Sequence, residues 1–346
     1  MSKIMTVNGP GEITIESQED FDLRENEVRL TMLYSGISAG TQLTLYRGKN
    51  PAVDKVWRED LKLFEEREGD GSLYPARGGW AYEEVGKVTQ IGNGVKDVAV
   101  GEIVYGTWGH VSSAVVTEKF AASHKLSPSI DPILGIYSQM GPIALNAILD
   151  ADIHLGETVA VFGQGVPGQI AAQMAKLSGA RVIAVDLSDF RLGFSKKFGA
   201  DVVINEAKTD SAKYIKELTG GRGADVCIEF TGSDRALHQA VRAATYNGRV
   251  VCSSFTQGPA SHLFLAEEFH SNRIQIISSQ IYGLNPVLDH RWDRLRMEKT
   301  VYDLVSEEKL DLRSLITHVV PFEEAAQAYA MLDQGQEDCL QVVLKF

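Results

Sequence analysis

The sequence predicts a two-domain α/β protein, in which a doubly wound parallel sheet is combined with a β-rich, barrel-like domain. Three observations support this fold class. The chain of 346 residues is long enough for two domains of ordinary size. Short strands broken by glycine fill much of residues 1–116, whereas short apolar strands alternate with helices between residues 158 and 277. In the second region a glycine-rich turn, Gly163-Gln-Gly-Val-Pro-Gly168, joins a strand to a helix.

The N-terminal region has the apolar–polar alternation of half-buried strands and dense turn signals, which together are typical of a barrel-like domain. A polar, turn-rich stretch at residues 48–79 interrupts it, and the apolar positions within residues 55–67 suggest a short surface helix. Strands are predicted at residues 12–16, 27–34, 86–92, 94–106 and 113–116.

The second region has near-continuous Val and Ile runs, which indicate strands buried on both faces beneath two layers of helices. These strands are predicted at residues 158–162, 181–186, 202–204, 226–230, 249–252 and 274–277. The flanking elements are predicted as helices at 133–150 and about 294–309 and a strand at 339–346. We therefore assign residues 139–287 to the parallel-sheet domain and residues 1–138 and 288–346 to the β-rich domain.

The composition excludes several classes of function. The net charge of −12 argues against a protein that binds nucleic acid or anionic lipid. No run of about 18 apolar residues predicts a membrane span, and the N-terminus does not have the pattern of a signal peptide. Cys227, Cys252 and Cys339 lie too far apart to predict a disulfide framework or a metal clip. We therefore expect a cytoplasmic protein.

The glycine-rich turn predicts a dinucleotide site. Gly163 permits the tight turn, Gly165 lets a pyrophosphate approach the backbone, and Gly168 permits the helix to pack closely on the strand. Val166 lies in the same turn and is expected to border the cofactor. An alanine-rich helix is predicted at residues 169–177, and its N-terminus offers unpaired N–H groups and the positive end of the helix dipole to the phosphates.

The following strand ends at Asp186, where a carboxylate binds the adenosine ribose diol in such folds. Because a carboxylate repels a 2′-phosphate, Asp186 favours NAD over NADP. Arg191 follows closely and reaches either the ribose or, less conveniently, a 2′-phosphate. Thr231, Gly232 and Ser253 lie at the ends of later strands, where we expect contacts with the nicotinamide.

The arrangement resembles the medium-chain dehydrogenase/reductases, the alcohol dehydrogenase superfamily, over nearly the whole chain. Residues 35–48 look like that family's first catalytic loop, residues 83–104 like its glycine-rich barrel segment and residues 316–329 like its closing helix. The resemblance implies a Rossmann domain, a GroES-like barrel and a homodimer or homotetramer. Residues 48–79 and 283–294 look like a bacterial branch that oxidises sugars or glycosides at a ring hydroxyl, including guloside 3-dehydrogenases.

The chain departs from zinc-dependent members of this family at the positions of the metal ligands. Those members carry Cys in the first loop, Gly-His-Glu before the barrel segment, and Cys or an acid ahead of the cofactor domain. This chain has Ser38 or Ala39, then Tyr82, then about Gln139. Alcohol, phenol and amide groups bind zinc poorly at neutral pH, and the four-cysteine lobe of a structural zinc is missing. We therefore expect no zinc.

Without a metal, side chains must accept the proton and stabilise the alkoxide. The resemblance implies that Thr41 is the proton-relay hydroxyl and that Tyr82 replaces the zinc-binding His, with Glu83 placed to orient or deprotonate it. His110 is expected at the barrel mouth, where its imidazole would titrate near neutrality. A weak metal site formed by Glu83 and His110 remains an open alternative. The alternatives are a turn-capping Thr41, a packing Tyr82 and a solvated His110.

The sequence thus predicts an NAD-dependent oxidoreductase that transfers hydride between a secondary alcohol of a sugar, polyol or glycoside and NAD, without catalytic zinc. Its partner is a small-molecule alcohol or ketone. One alternative is an NADPH-dependent reductase of quinone or enone C=C bonds, against which Asp186 counts. The other is a non-catalytic dinucleotide-binding relative, in which substitution of Thr41, Tyr82 or His110 changes nothing measurable.

Overall fold

The computed structural model divides into two compact units, one of residues 1–138 and 316–346 and one of residues 139–315. It describes residues 1–68, 72–256, 258–335 and 338–346. The first boundary lies where the sequence analysis put it. The second lies later than expected, because the helix at Arg294–Ser306 packs on the helix at Met140–Ala151 and so lies in the second unit.

The N-terminal part of the first unit consists mainly of strands, as its alternating pattern predicts. These are β1 (Ser2–Gly9), β2 (Glu12–Gln18), β3 (Glu27–Ile37), β4 (Lys55–Arg58), β5 (Leu63–Glu66), β6 (Ala76–Arg77), β7 (Glu84–Ile91), β8 (Ile103–Gly106) and β9 (Ser113–Thr117). Two short helices accompany them, α1 (Ala39–Tyr46) and α2 (Glu118–Ser123). The predicted strand at 94–106 is shorter than expected, because Gly101 has a φ of +100° that interrupts extended backbone.

The insertion at residues 48–79 contains a β-hairpin in place of the predicted surface helix. Strands β4 and β5 pair antiparallel, and the rings of Trp57 and Phe64 lie opposite each other with centroids 5.0 Å apart. A cross-strand aromatic pair of this kind stabilises a hairpin. The helix prediction was wrong because a short apolar run does not distinguish a period of 2 from one of 3.6. Residues 69–71 of this insertion lie outside the described residues.

The second unit alternates strands and helices. Its strands are β10 (Thr158–Phe162), β11 (Arg181–Asp186), β12 (Val202–Asn205), β13 (Ala224–Glu229), β14 (Ala244–Cys252) and β15 (Gln275–Ser278). Its helices are α3 (Met140–Ala151), α4 (Val166–Leu177), α5 (Asp189–Lys197), α6 (Ser211–Leu218), α7 (Asp234–Ala243) and α8 (Arg294–Ser306). The predicted helix at 133–150 is divided, since a 3₁₀ helix at Pro132–Ser138 precedes α3.

The six strands of the second unit form a parallel sheet in the order β12-β11-β10-β13-β14-β15. Strands β11 and β12 follow β10 along the chain and lie on one side of it. Strands β13, β14 and β15 come next and lie on its other side. The neighbouring carboxyl ends of β10 and β13 are therefore a topological switch point, where doubly wound sheets bind their ligands. The sheet centre is apolar and buried, as at Val161, Ile183 and Val250. The prediction of a doubly wound parallel sheet is confirmed.

The C-terminal segment returns to the first unit as β16 (Ile316–Pro321), α9 (Ala325–Asp333) and β17 (Gln341–Lys345). The main sheet of this unit has the order β16-β17-β3-β7-β8, with β9 also paired to β3, and a second sheet has the order β2-β1-β6. The segment at 316–329, which resembles a closing helix, therefore begins as a strand. In the pairing of β3 with β7, Ser35 lies opposite Glu84, which brings α1 close to the residues before β7.

No single helix among the described residues is long and apolar enough to cross a membrane. The consecutive helices at Pro132–Ser138 and Met140–Ala151 reach the necessary length and composition only when they are counted together.

Candidate functional site

The glycine-rich turn of the second unit leaves little room for side chains at two of its three glycines. Gly163 has a φ of +88°, and a Cβ there would lie 2.8 Å from Cγ2 of Thr231. A Cβ on Gly168 would lie 1.8 Å from the carbonyl oxygen of Gly163. Gly165, in contrast, borders open space, and α4 begins at the next residue, Val166. The turn therefore combines close helix–strand packing with backbone that a phosphate can approach.

Asp186, at the carboxyl end of β11, holds its carboxylate against this turn. Its Oδ2 accepts a hydrogen bond from the backbone N–H of Gln164 at 2.6 Å, and its Oδ1 accepts one from the N–H of Ser188 at 2.9 Å. The Arg191 guanidinium lies 4.0 Å from Oδ2. The two residues singled out for the ribose thus lie together beside the glycines, and a negative charge is fixed next to the predicted dinucleotide site.

The ends of β13 and β14 are tied together by a residue that the sequence analysis missed, Glu229. The N–H and hydroxyl of Thr231 both donate to Glu229 Oε1, and the N–H of Gly232 does so at 3.1 Å. The hydroxyl of Ser254 donates to Oε2, and the N–H of Ser253 donates to the Glu229 carbonyl at 3.0 Å. An acid at the carboxyl end of a buried apolar strand is the signal that sequence reasoning could have used.

In the first unit, three hydroxyl groups meet where α1 begins. The Oη of Tyr82 lies 2.5 Å from the Oγ of Ser38 and donates to the Oγ1 of Thr41 at 2.8 Å. Ser38 is the N-cap residue of α1 and is buried, whereas Thr41 and Tyr82 are half-buried. We call Ser38, Thr41 and Tyr82 the hydroxyl cluster. It brings together the two predicted relay residues, Thr41 and Tyr82, and adds Ser38.

Glu83, the residue after Tyr82, is wholly buried. A Cβ on Gly36 would be 2.6 Å from Glu83 Oε2 and 3.1 Å from the amide nitrogen of Gln341, so the carboxyl group lies beside β3 and β17. Burial raises the pKa of Glu83 well above its ordinary value, and the nearby charge of Glu84 raises it further. The carboxyl group faces β3 and β17, and the expected role of Glu83 in orienting or deprotonating Tyr82 stays a prediction.

His110 is fully buried, in contrast to the expected position at the barrel mouth. Its backbone N–H donates to the carbonyl of Gly78, which directs the loop inward. The imidazole Nδ1 lies 2.6 Å from the Ser35 hydroxyl, and Nε2 lies 2.9 Å from the Gln42 amide oxygen and 3.1 Å from the Tyr329 hydroxyl. Burial lowers the pKa of His110 to about 3, so the expectation of titration near neutrality was wrong.

The buried acid Glu84 makes the stability of the protein depend on pH. Burial raises the pKa of Glu84 from 4.5 to about 7. Between these values the folded state keeps a proton that the unfolded state has released, so this residue lowers stability as the pH rises. We expect Glu84→Gln to gain stability relative to the wild type as the pH rises from 4.5 to 7, by up to about 3 kcal/mol. Urea unfolding at both pH values measures this gain.

Glu102→Gln is the matched control for this measurement. Partial burial raises the pKa of Glu102, but the hydrogen bonds from Lys125 and from the Ala99 N–H, together with the charge of Lys125, outweigh burial and lower the pKa overall. A carboxyl group with a lowered pKa stabilises the folded state above its ordinary pKa. That stabilisation is lost as the pH falls. Glu102→Gln should therefore show no gain between pH 4.5 and 7. An equal response of the two variants would contradict the assignment of a buried, proton-holding Glu84.

The side chains at the family's zinc-ligand positions do not fit a zinc ion. Ser38 and Tyr82 hydrogen-bond to each other, and the Gln139 amide oxygen accepts a hydrogen bond from Arg294. Neutral hydroxyl, phenol and amide groups are poor ligands for Zn²⁺. Within the described part of the chain, one group of three His, Cys or acidic side chains is close enough for a metal, and it lies in the second unit, at His238, Glu267 and Glu268.

Sequence comparison finds dehydrogenases. A family model for zinc-binding dehydrogenases matches residues 167–297. The chain is 30% identical to the D-guloside 3-dehydrogenase of Escherichia coli K12 over 359 aligned positions, which cover 99% of this chain and 100% of the relative. It is 29% identical to the L-threonine 3-dehydrogenase of Pyrococcus abyssi, with 83% of this chain and 87% of that one covered.

Solved structures with the same fold include the 2R,3R-butanediol dehydrogenase of Bacillus subtilis, with a TM-score of 0.79 and 22% identity over all of both chains. A dehydrogenase from Sinorhizobium meliloti 1021 bound to NADP has a TM-score of 0.80 and 19% identity, covering 100% of this chain and 99% of that one. An alcohol dehydrogenase from E. coli CFT073 with NADH has a TM-score of 0.78 and 23% identity at the same coverage. These neighbours confirm the predicted pair of a Rossmann and a GroES-like fold.

Proposed function

This chain belongs to the medium-chain dehydrogenase/reductase superfamily, and from that premise we propose that it is an NAD-dependent dehydrogenase acting on a ring hydroxyl of a sugar, polyol or glycoside without catalytic zinc. That it is an oxidoreductase of secondary alcohols follows from its relatives. The hydroxyl cluster is the observation that carries the finer proposal. Two of its three hydrogen-bonded hydroxyls, those of Ser38 and Tyr82, stand at positions where zinc-dependent members of the family carry metal ligands, and the third is that of the expected relay residue Thr41.

The substrate class is supported by the relative that matches from end to end. D-guloside 3-dehydrogenase is named for a glycoside, and a ring hydroxyl of a glycoside is a secondary alcohol. The alignment includes the 48–79 insertion, because it covers 99% of this chain. Hydroxyl groups of the protein also suit such a substrate, since they both donate and accept hydrogen bonds.

The hydroxyl cluster supplies the proton transfer. As the alcohol is oxidised, Tyr82 Oη accepts the proton of the substrate hydroxyl while its own proton passes to Thr41 Oγ1, to which it already donates. Thr41 in turn releases its proton to water, because it is half-buried. Ser38, fixed at the start of α1, holds the phenol oxygen in place from its other side. In the reverse direction the Tyr82 hydroxyl donates to the carbonyl oxygen and stabilises the developing alkoxide.

The second unit has the residues to hold NAD. The α4 N-terminus and the open backbone at Gly165 suit the pyrophosphate, and the Asp186 carboxylate suits a ribose diol. When bound, NAD would supply the acceptor for the hydride of the carbinol carbon. The charge of Asp186 would repel a 2′-phosphate, which is the physical reason for preferring NAD to NADP.

Replacement of Asp186 tests the cofactor preference. We expect Asp186→Ser to shift the ratio of kcat/KM for NAD to that for NADP by about 100-fold toward NADP, because the repulsion is removed and Arg191 is freed to meet a phosphate. Steady-state kinetics with both cofactors measure the ratio. Asp189→Asn is the control, since Asp189 is exposed on α5 and pairs with Lys208. An unchanged ratio in Asp186→Ser would refute the role of this carboxylate.

The function itself is tested with a panel of glycosides, polyols and sugars, assayed with NAD on enzyme treated with a chelator. We expect NADH formation with glycosides that carry a free ring hydroxyl, and zinc far below one ion per chain by elemental analysis. Loss of activity on chelation, restored by zinc, would contradict the metal-free mechanism. If the enzyme were active only as a reductase of quinones or enones with NADPH, the proposed substrate class would be contradicted.

We also propose that the protein works in the cytoplasm as a homodimer or homotetramer, without nucleic-acid or membrane partners. The excess of 46 acidic over 34 basic residues supports the absence of such partners. Light scattering on the purified protein tests the oligomeric state, and a monomer at micromolar concentration would contradict it.

A further inference from the structure

Glu229 is a fully buried acid at the switch point of the parallel sheet. In the strand pairings it lies beside Phe162 of β10 on one side and Cys252 of β14 on the other. It therefore occupies the carboxyl-terminal edge of the sheet between the glycine-rich turn and the loop after β14. Ligands of doubly wound sheets bind in the crevice outside this edge. The proposed mechanism does not use Glu229.

Four hydrogen-bond donors from two loops converge on this one carboxylate. Oε1 accepts from the N–H and hydroxyl of Thr231 and from the N–H of Gly232, and Oε2 accepts from the hydroxyl of Ser254. Thr231 in turn lies against the glycine turn, since a Cβ on Gly163 would meet it at 2.8 Å. The acid thus fixes both loops that border the crevice, and it does so as an acceptor at both oxygens.

A carboxylate accepts hydrogen bonds at both of its oxygens, as Glu229 does here. A glutamine at this position would accept at its oxygen and present an N–H₂ group at the other end of the amide. Burial raises the pKa of Glu229 above its ordinary value, and the four hydrogen bonds act in the opposite direction. A negative charge kept in a buried place is costly without a positive partner. The described ion pairs with an arginine, lysine or histidine do not include Glu229, so a cation from outside the chain would complete the site.

We propose that the negative charge of Glu229 makes the crevice select the oxidised cofactor. The oxidised nicotinamide ring is a cation and the reduced ring is neutral, so a fixed negative charge at the switch point stabilises bound NAD⁺ more than bound NADH. This inference rests on the proposed NAD site. Beyond that site, it says that the enzyme binds NAD⁺ more tightly than NADH, which suits a dehydrogenase that oxidises alcohols.

The test compares Glu229→Gln with the wild type by calorimetric titration of NAD⁺, NADH and ADP-ribose. The substitution keeps the shape and removes the charge. We expect the Kd for NAD⁺ to rise about tenfold, the Kd for NADH to change less than about twofold, and the Kd for ADP-ribose, which has no nicotinamide, to stay the same. Glu206→Gln is the matched control, because Glu206 is a half-buried acid of the same unit, bonded to the N–H of Ser211 rather than placed at the switch point.

Equal weakening of NAD⁺ and NADH would show that Glu229 only holds the loops and would overturn the proposal, as would no change in either. If the wild type binds none of the three ligands, the NAD site itself is refuted instead. Should Glu229→Gln not fold, Glu229→Asp provides the second test. It shortens the side chain but keeps a carboxylate, so it should keep the preference for NAD⁺, and a loss of that preference would overturn the proposal.

Discussion

Replacement of Tyr82 by phenylalanine is expected to lower kcat by about 10²–10⁴-fold, with NAD binding close to that of the wild type. The substitution removes the phenol oxygen, which bonds to both Ser38 and Thr41 and which is the group proposed to exchange a proton with the substrate. It leaves the ring, and hence the packing, in place. Steady-state kinetics on the best substrate of the glycoside panel, with calorimetric titration of NAD, separate the two effects.

Tyr34→Phe is the control for this prediction, because Tyr34 lies on β3 outside the hydroxyl cluster. Thr41→Val should show a smaller loss than Tyr82→Phe, and Thr41→Ser should recover much of it, since serine restores the hydroxyl. If Tyr82→Phe kept more than half of the wild-type kcat, the hydroxyl cluster could not be the proton relay, and the alternative of a packing tyrosine would stand.

Gly168→Ala is expected to have the largest effect in the second unit. The added Cβ would lie 1.8 Å from the carbonyl oxygen of Gly163, a distance at which backbone must move. The start of α4 would shift away from β10, and the phosphate-binding turn would be lost. We expect the Kd for NAD to rise more than about 100-fold and the thermal midpoint to fall by more than about 5 °C.

Gly165→Ala separates the loss of NAD binding from the loss of thermal stability. A side chain at Gly165 meets no protein atom within 4 Å, so the fold should keep its thermal midpoint. The methyl group would still occupy the space through which a pyrophosphate approaches the backbone, so NAD binding should weaken. A Gly168→Ala protein with wild-type stability and affinity would contradict both the packing and the position of the site.

The dinucleotide half of the molecule was predictable because its signals are local. A glycine turn between strand and helix, followed by Asp186 at the end of the next strand, depends on sequence spacing alone. The alternating buried strands likewise follow from their Val and Ile runs. The sequence marks Glu229 only as an acid at the end of an apolar strand. That it ties two loops together depends on which strands are neighbours, and strand order is not visible along the sequence.

The other half depended more on tertiary context. The hydroxyl cluster was foreseen as Thr41 and Tyr82 through a family resemblance, whereas Ser38 joins it only because α1 begins there. His110 was misplaced because a glycine-flanked loop gives no sign of whether it turns inward or outward. Its burial follows from partners far away in the chain, above all Tyr329.

The place of β17 in the main sheet of the first unit has a consequence for synthesis on the ribosome. This strand lies between β16 and β3, so it joins strands that are about 300 residues apart in the chain. While the chain emerges, residues 139–315 are complete before β17 exists and are able to fold as one body. The sheet edge of β3 that β17 will cover stays open during that time. Nascent chains halted before residue 341 should therefore depend most on chaperones, and a late folding step should follow the arrival of β17.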